Sequence, residues 1–223
     1  RAHLFFGGFA KLGISLCKST VDQYRTRRSG TPPPTWKSFL ANEASAIASI
    51  DFFTVPTATF RVLYIFVGLI HERRRVVHFN VTESPSERWT AQQIVEAFPW
   101  DSATKHLIRD NDTIFGFEFS KGVQGMNIKE SKTAYRSPWQ NPFCERVIGS
   151  IRRDCLDHVI IFNEAQLRRI LESYFEYGHR CRTHLSLAKD WPEPRATVPP
   201  ERGRVVAFSK VGGLHHFYTR EAA

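Results

Sequence analysis

Three acidic residues occupy positions in the sequence where a carboxylate could take part in catalysis. Asp51 interrupts the apolar run AIASIDFFTV (46–55), Asp110 ends the short run HLIRD, and Glu145 follows 35 residues later in a basic, helix-like segment. An ionised carboxylate among apolar side chains is costly unless a cation or several hydrogen bonds compensate it. Because no His or Cys cluster lies beside them, these hard oxygen ligands favour Mg²⁺ or Mn²⁺. The pattern indicates metal-dependent phosphoryl transfer, and structural or solvated acids are the alternative.

The segment that carries Glu145, SPWQNPFCERVIGSIRRDC (137–155), has the signals of an amphipathic helix. Asn141 suits the N-cap and Pro142 the first helical position. With 3.6 residues per turn, one side of this helix is apolar and consists of Ile148, Ile151 and Cys155. Glu145 lies at the border of that side. We therefore expect the apolar side to hold the helix against a core while the carboxylate reaches into a site.

The segments around these acids predict a mixed α/β sheet flanked by helices. Strands are expected at residues 46–55, 61–70, 74–82, 105–109 and 127–131, and helices at 87–98, 117–126 and 163–177 besides that of Glu145. Asn163 and Gln166 form a capping box, and Gly178 is the expected end of the last helix. Residues 46–55 are apolar on both faces, as in a central strand. Asp51 on that strand and Asp110 at the end of its neighbour would then converge.

The N-terminal region is basic and indicates a polyanionic partner such as DNA. Residues 1–50 hold seven basic and two acidic residues, so +5 of the net charge of +9 falls there. The segment KLGISLCKSTVDQYRTRR (11–28) resembles the end of a helix-turn-helix, whose flanking cations contact phosphates. The candidate DNA-binding residues of this segment are Lys18, Arg25, Arg27 and Arg28. We expect a partial helix-turn-helix over 1–30 and a linker over 31–45, which begins within the segment GTPPP (30–34).

Composition and the C-terminal region complete the expected organisation. The chain of 223 residues is 42% hydrophobic, enough for one full domain. Four cysteines without a CxxC pair indicate a reduced, intracellular protein, and the longest apolar run, Val62–Ile70, is about half a membrane crossing. The only methionine is Met126, so a fragment is expected. Residues 188–223 are predicted to form a tail in which Arg204–Ser209 and Gly213–Arg220 make a β-hairpin.

From about Trp36 to Leu187 the sequence resembles the integrase catalytic core of bacterial insertion-sequence transposases, relatives of retroviral integrases. The segments SIDFFTV, LIRDND, SPWQNPFCERVIGSIRRDCLDH and YGHRCRTHLSL carry the resemblance. It implies a ribonuclease H-like core over 46–187 in which Asp51, Asp110 and Glu145 are the D,D,E triad. Asp51 would bridge two Mg²⁺ or Mn²⁺ ions, and Asp110 and Glu145 would each hold one.

The same resemblance implies an activity and a setting. The expected activity is cleavage at the ends of a mobile element and transfer of the 3′-hydroxyl into target DNA, without a covalent enzyme intermediate. The expected partners are DNA and further copies of the chain in a synaptic complex, in the bacterial cytoplasm and associated with the nucleoid. No membrane partner is expected.

Several alternatives stay open at this stage. Asp112 stands where many relatives have Gly and could compete with Asp110 for metal. Arg146, Arg152 and Arg153 are candidates for DNA contacts, although a solvated basic helix face explains them equally well. Gln140 and Asn141 either position DNA or only cap the helix. A catalytically decayed DNA-binding remnant and a ribonuclease H-like nuclease are the competing functions.

Overall fold

The computed structural model describes residues 44–99, 104–134, 137–184, 187 and 189–222. All of these residues belong to one compact unit that spans Phe39–Ala223. The predicted helix-turn-helix and most of the linker lie outside the described residues. The candidate DNA-binding residues outside the described part are Lys18, Arg25, Arg27 and Arg28.

A five-stranded mixed sheet forms the centre of the fold. Its strands are β1 (Ile47–Pro56), β2 (Val62–Ile70), β3 (Arg75–Thr82), β4 (His106–Arg109) and β5 (Lys129–Lys132). The spatial order is β3-β2-β1-β4-β5, with β1, β2 and β3 antiparallel and β4 and β5 parallel to β1. The central position of β1 follows from its apolar side chains on both faces. The predicted mixed sheet is confirmed.

Helices cover both faces of the sheet. They are α1 (Glu87–Ala97), α2 (Phe117–Gly125), α3 (Pro142–Asp154) and α4 (Glu164–Arg180). Along β1, Phe53 and Val55 pack in the core beneath α3 and α4, whereas Ala48 and Ile50 pack in the core beneath α1 and α2. Successive strand residues alternate between faces, so Asp51 shares the face of Phe53 and Val55. The central acid therefore faces the helix that carries Glu145.

The ends of α4 show one prediction confirmed and one that is wrong. Asn163 Oδ1 accepts the N–H of Gln166 at 2.9 Å, which confirms the predicted cap. The helix does not end at Gly178 but continues to Arg180. A single glycine costs a helix only about 1 kcal/mol. The residue after it is held by a tertiary contact, because His179 Nε2 accepts the backbone N–H of Val76 at 3.1 Å.

The C-terminal residues form the predicted hairpin, and this hairpin packs on the core. Its strands are β6 (Arg204–Lys210) and β7 (His215–Glu221), which pair antiparallel. Val211 in the connecting turn is buried in the core beneath α3 and α4. The ring of His215 stacks on Tyr177 of α4, with centroids 4.5 Å apart. Within the described part of the chain, no helix is both long and apolar enough to cross a membrane.

Candidate active site

Strand register places Asp110 beside Asp51. In the parallel pair, Ile47 lies opposite His106 and Ser49 lies opposite Ile108. Extending this register by two residues brings Asp110 next to Asp51 at the point where β4 ends. The backbone therefore places these two acids side by side, as expected for a central strand and its neighbour.

Helix α3 is fixed to β1 by hydrogen bonds at both of its ends. Near its start, Asn141 Nδ2 donates to the carbonyl oxygen of Ile50 at 3.1 Å, and two turns after Glu145, Arg152 donates to the carbonyl oxygen of Thr54 at 3.2 Å. Asn141 occupies the N-cap position, but its side chain makes no capping hydrogen bond. The prediction that it caps the helix is therefore wrong: the asparagine ties the helix to the strand that carries Asp51.

The predicted acids line one cavity of about 430 Å³. Its polar lining is contributed by Asp51, Asp110, Asn111, Asp112, Thr113, Thr133, Ser137, Asn141 and Glu145. Among the described residues around it there is no His, Cys, Lys or Arg. The side chains that could bind a metal ion therefore carry carboxylate, amide and hydroxyl groups, whose oxygens are the ligands that Mg²⁺ and Mn²⁺ prefer.

Charge accumulates in this cavity. Burial raises the pKa of Asp51 from 3.8 to about 7, the hydrogen bond from the N–H of Phe52 opposes the rise, and the negative charges of Asp110, Glu145 and Asp112 add to it. Burial is also the main reason that the pKa of Asp110 is raised. Carboxylates that repel one another at a desolvated position are stabilised by a cation, so the electrostatics favour cation binding.

The carboxylate oxygens are not arranged as a ready-made ligand set. In the part of the chain that the structure describes, no group of three or more His, Cys, Asp or Glu side chains is placed so that it could hold a metal ion. The acids nevertheless line the same cavity, and the negative charges of Asp110, Glu145 and Asp112 act on Asp51, so the side chains are neighbours that can rotate towards one another. A metal site here requires such rotation of side chains.

Asp112 shares the cavity with Asp110 but has a local structural role as well. Asp112 Oδ1 accepts the backbone N–H of Ile114 at 3.1 Å, and the backbone N–H of Asp112 donates to Asp110 Oδ1 at 3.3 Å. In this turn the carboxylate of Asp112 orders the loop, and the backbone of the loop holds the carboxylate of Asp110. Both acids remain candidate ligands.

A buried arginine that the sequence analysis did not single out supports the end of β4. Arg109 is 1% exposed and forms an ion pair with Glu130. Its Nη1 donates to the carbonyl oxygen of Asp110 at 2.8 Å, and its guanidinium lies 5.0 Å from the ring centroid of Phe115. In the sequence HLIRD, Arg109 resembles an ordinary exposed, charged residue at the end of a strand. Only the position of Glu130 on β5 could have indicated the pair.

The three arginines of α3 make different contacts. Arg146 lines a second cavity. Arg152 lies over the ring of Phe53 at 5.5 Å in addition to its bond with Thr54. Arg153 lies along the helix, with its Nη1 3.0 Å from the position that a Cβ would take at Gly149. All three are exposed, and DNA binding by them remains a prediction.

Comparison with known proteins supports the fold. Residues 126–192, which include α3 and α4, match the family model of the integrase core domain. No curated protein matches the chain.

Three solved structures are similar at low sequence identity. The HTLV-2 integrase catalytic core domain in complex with magnesium is 14% identical, with a TM-score of 0.51 over 66% of this chain and 93% of that one. The catalytic domain of Mos1 mariner transposase is 12% identical, with a TM-score of 0.53 over 73% of this chain and 84% of that one. A chain of the simian T-cell lymphotropic virus intasome in complex with the PP2A regulatory subunit B56 gamma is 12% identical, with a TM-score of 0.53 over 77% of this chain and 65% of that one. The mixed sheet and its flanking helices therefore have the ribonuclease H-like fold of these catalytic domains, and residues 126–192 are similar to the integrase core domain.

Proposed function

We propose that the protein is a DNA transposase or integrase that cleaves DNA at the ends of a mobile element and joins the resulting 3′-hydroxyl to target DNA. The observation that carries the proposal is the convergence of Asp51, Asp110 and Glu145, from two strands and a helix, on one oxygen-lined cavity. The integrase-like fold and the net charge of +9 support a DNA substrate.

Asp51, Asp110 and Glu145 are the residues that would hold the metal ions. Two bound Mg²⁺ or Mn²⁺ ions would supply activation of the attacking oxygen and stabilisation of the leaving one. The printed descriptions of similar structures name magnesium with the HTLV-2 core and Mn with the Mos1 domain. The donor set of this cavity and its excess negative charge fit the same ions.

The chain's own residues position these carboxylates. Asn141 holds the start of α3 on β1, and Arg109 holds the backbone of Asp110. Cys144, one residue before Glu145, is fully buried and burial raises its pKa, so it stays a thiol rather than a nucleophilic thiolate.

In the proposed reaction the attacking oxygen therefore comes from water or DNA. In the joining step the DNA 3′-oxygen forms a bond to a target phosphorus, and the target's own 3′-oxygen leaves with its electron pair. The proposal includes assembly of several copies in a synaptic complex. Among the similar structures are an intasome and a trimeric form of the HTLV-2 core. The proposal also places the protein with bacterial DNA in the cytoplasm.

A strand-transfer assay tests the proposal. The wild type is incubated with supercoiled plasmid and pre-cleaved element ends, taken from the DNA that flanks the gene, in Mg²⁺ or Mn²⁺. We expect joining by the wild type and its loss in Asp51→Asn, Asp110→Asn and Glu145→Gln. Asp157→Asn, an exposed acid just beyond α3, is the matched control and should join normally.

The competing functions give different results. A decayed DNA-binding remnant would bind the ends and never join them. A ribonuclease H-like nuclease would cut an RNA–DNA hybrid in preference to duplex DNA. If Asp112→Asn and Asp110→Asn lose joining to the same extent, both acids are inferred to hold the second metal ion.

A further inference from the structure

The side-chain amide of Asn141 is hydrogen-bonded through its nitrogen and not through its oxygen. Its Nδ2 donates to the carbonyl oxygen of Ile50 at 3.1 Å. A carbonyl oxygen can only accept, so this contact fixes which end of the amide carries the nitrogen. Among the residues that the structure describes, none donates a hydrogen bond to Asn141 Oδ1. The residue is 3% exposed, so bulk water does not satisfy this oxygen either.

An unpaired acceptor at this position needs a physical reason. A buried polar group without a partner costs about 1–3 kcal/mol, and such groups are few in folded proteins. The thiol of Cys144 does not supply the missing donor. Burial and the negative charge of Asp51 raise the pKa of that thiol, and a side-chain hydrogen bond with Asn141 opposes the rise, which is the effect of an amide N–H that donates to sulfur. The oxygen of Asn141 therefore stays available to a group from outside the chain.

The amide of Asn141 lies beside the proposed catalytic acids. Asn141 lines the cavity that Asp51, Asp110 and Glu145 share, here called the carboxylate cavity. It precedes Glu145 by one helical turn, and its carbonyl oxygen accepts the N–H of Glu145 at 3.2 Å. Its amide is bonded to Ile50, the residue before Asp51. Residues one turn apart share a side of a helix, so the amide lies between the helix and the strand that carry two members of the proposed triad.

We propose that Asn141 Oδ1 is a further ligand of the divalent ion that Glu145 holds. This inference rests on the proposed function and adds a residue to its metal site. Amide carbonyl oxygens are hard ligands like those of carboxylates and suit Mg²⁺ and Mn²⁺. The rotation of side chains that a metal site requires here also uncovers this oxygen to the ion.

A neutral ligand suits the carboxylate cavity better than a further acid. The negative charges of Asp110, Glu145 and Asp112 already act on Asp51. Another carboxylate would add to this repulsion in the metal-free protein, whereas an amide oxygen contributes a ligand without charge. The bond to Ile50 also holds the amide in place before the ion binds, so less side-chain entropy is lost on binding.

Two substitutions of Asn141 separate the role of its oxygen from that of its nitrogen. Asn141→Ala and Asn141→Asp both remove the donor to Ile50, but only Asn141→Asp keeps an oxygen at the position of Oδ1. Mn²⁺ binding is followed by electron paramagnetic resonance. We expect Asn141→Ala to bind Mn²⁺ at least about 10-fold more weakly than the wild type, and Asn141→Asp to bind it at least as tightly as the wild type.

The neighbouring amide, Gln140, provides the matched controls. It is not among the described residues that line the carboxylate cavity, and its Oε1 already accepts the backbone N–H of Ala134 at 2.7 Å. Gln140→Ala should bind Mn²⁺ as the wild type does. Gln140→Glu measures the effect of one added negative charge near the cavity, and Asn141→Asp should bind Mn²⁺ more tightly than Gln140→Glu.

Three results would overturn the inference. Unchanged Mn²⁺ affinity in Asn141→Ala would show that the oxygen is not a ligand. Equal loss of affinity in Asn141→Ala and Asn141→Asp would show that the bond to Ile50, and not the oxygen, supports metal binding. Equal affinities of Asn141→Asp and Gln140→Glu would mean that added charge alone explains the effect. Urea unfolding in EDTA checks that the variants fold, and if Asn141→Ala does not, Asn141→Leu replaces it, because leucine has the shape of asparagine without its polar atoms.

Failure of this inference can be told apart from failure of the proposed function. If the wild type joins DNA and Asn141→Ala binds Mn²⁺ as the wild type does, Asn141 is not a ligand and the proposed function stands. If the Asn141 variants bind Mn²⁺ as expected while the wild type never joins DNA, Asn141 is a metal ligand of a protein that does not catalyse strand transfer.

Discussion

Replacing Asp51 with asparagine should stabilise the metal-free protein at high pH. In the folded state the pKa of Asp51 is raised from 3.8 to about 7, so the folded protein holds this proton more tightly than the unfolded chain. The stability linked to this group is greatest below pH 3.8 and is lost as the pH rises to about 7. At about 1.36 kcal/mol per pKa unit the loss is about 4 kcal/mol, and screening at this partly exposed group reduces it towards about 2.

Urea unfolding in EDTA at several pH values between 4 and 8 measures this effect. Asparagine resembles the protonated acid in size, so wild type and Asp51→Asn should be nearly equally stable at pH 4. At pH 8 the variant should be the more stable by about 2–4 kcal/mol. Mn²⁺ should then stabilise the wild type more than the variant, because binding to the folded state adds to stability.

A difference between the two proteins that stays constant from pH 4 to 8 would refute the reasoning. It would mean that Asp51 ionises at its ordinary pKa and that neither burial nor the neighbouring acids raise it. The control Asp157→Asn changes an exposed acid and keeps Asp51, so its stability should follow that of the wild type across the same range.

Three further substitutions test the supports of the site by urea unfolding. Asn141→Ala removes the bond to Ile50 and should cost about 1–3 kcal/mol, and an unchanged midpoint would show that α3 does not depend on it. Arg109→Met leaves Glu130 without its cation and should lower the free energy of unfolding by about 3–5 kcal/mol. The double variant Arg109→Met/Glu130→Leu should recover most of this loss. A double variant that is no more stable than the single one contradicts the ion-pair account. Gly178→Ala should stabilise the protein by about 0.5–1 kcal/mol, because this residue lies inside α4 with nothing within 4 Å, and destabilisation would show that the glycine is needed there.

The parts of the fold that depend on local pattern were predictable from the sequence. The apolar run around Asp51 identified the central strand, because a strand that is buried on both faces needs apolar side chains on both faces. The apolar side of α3 likewise predicted the burial of Ile148 and Ile151, which are 8% and 0% exposed. The hairpin and the cap at Asn163 followed from turn and cap chemistry.

The parts that depend on contacts between distant segments were not predictable in the same way. Asn141 has the residue type of a cap, but its amide bonds to Ile50, 91 residues away. Gly178 has the residue type of a helix end, but contacts made beyond it extend α4. The guanidinium of Arg74 lies over the ring of Phe143 in α3, a contact between distant segments that no spacing in the sequence encodes.

Counting bound Mn²⁺ by electron paramagnetic resonance tests the central claim most directly, because it asks whether the carboxylate cavity holds metal. The signal of free Mn²⁺ is followed as the wild type, Asp51→Asn, Glu145→Gln and the control Asp157→Asn are added. The account predicts about two ions per chain for the wild type and the control, and weaker or fewer ions for Asp51→Asn and Glu145→Gln. Binding that is absent from the wild type, or identical in all four proteins, would contradict it.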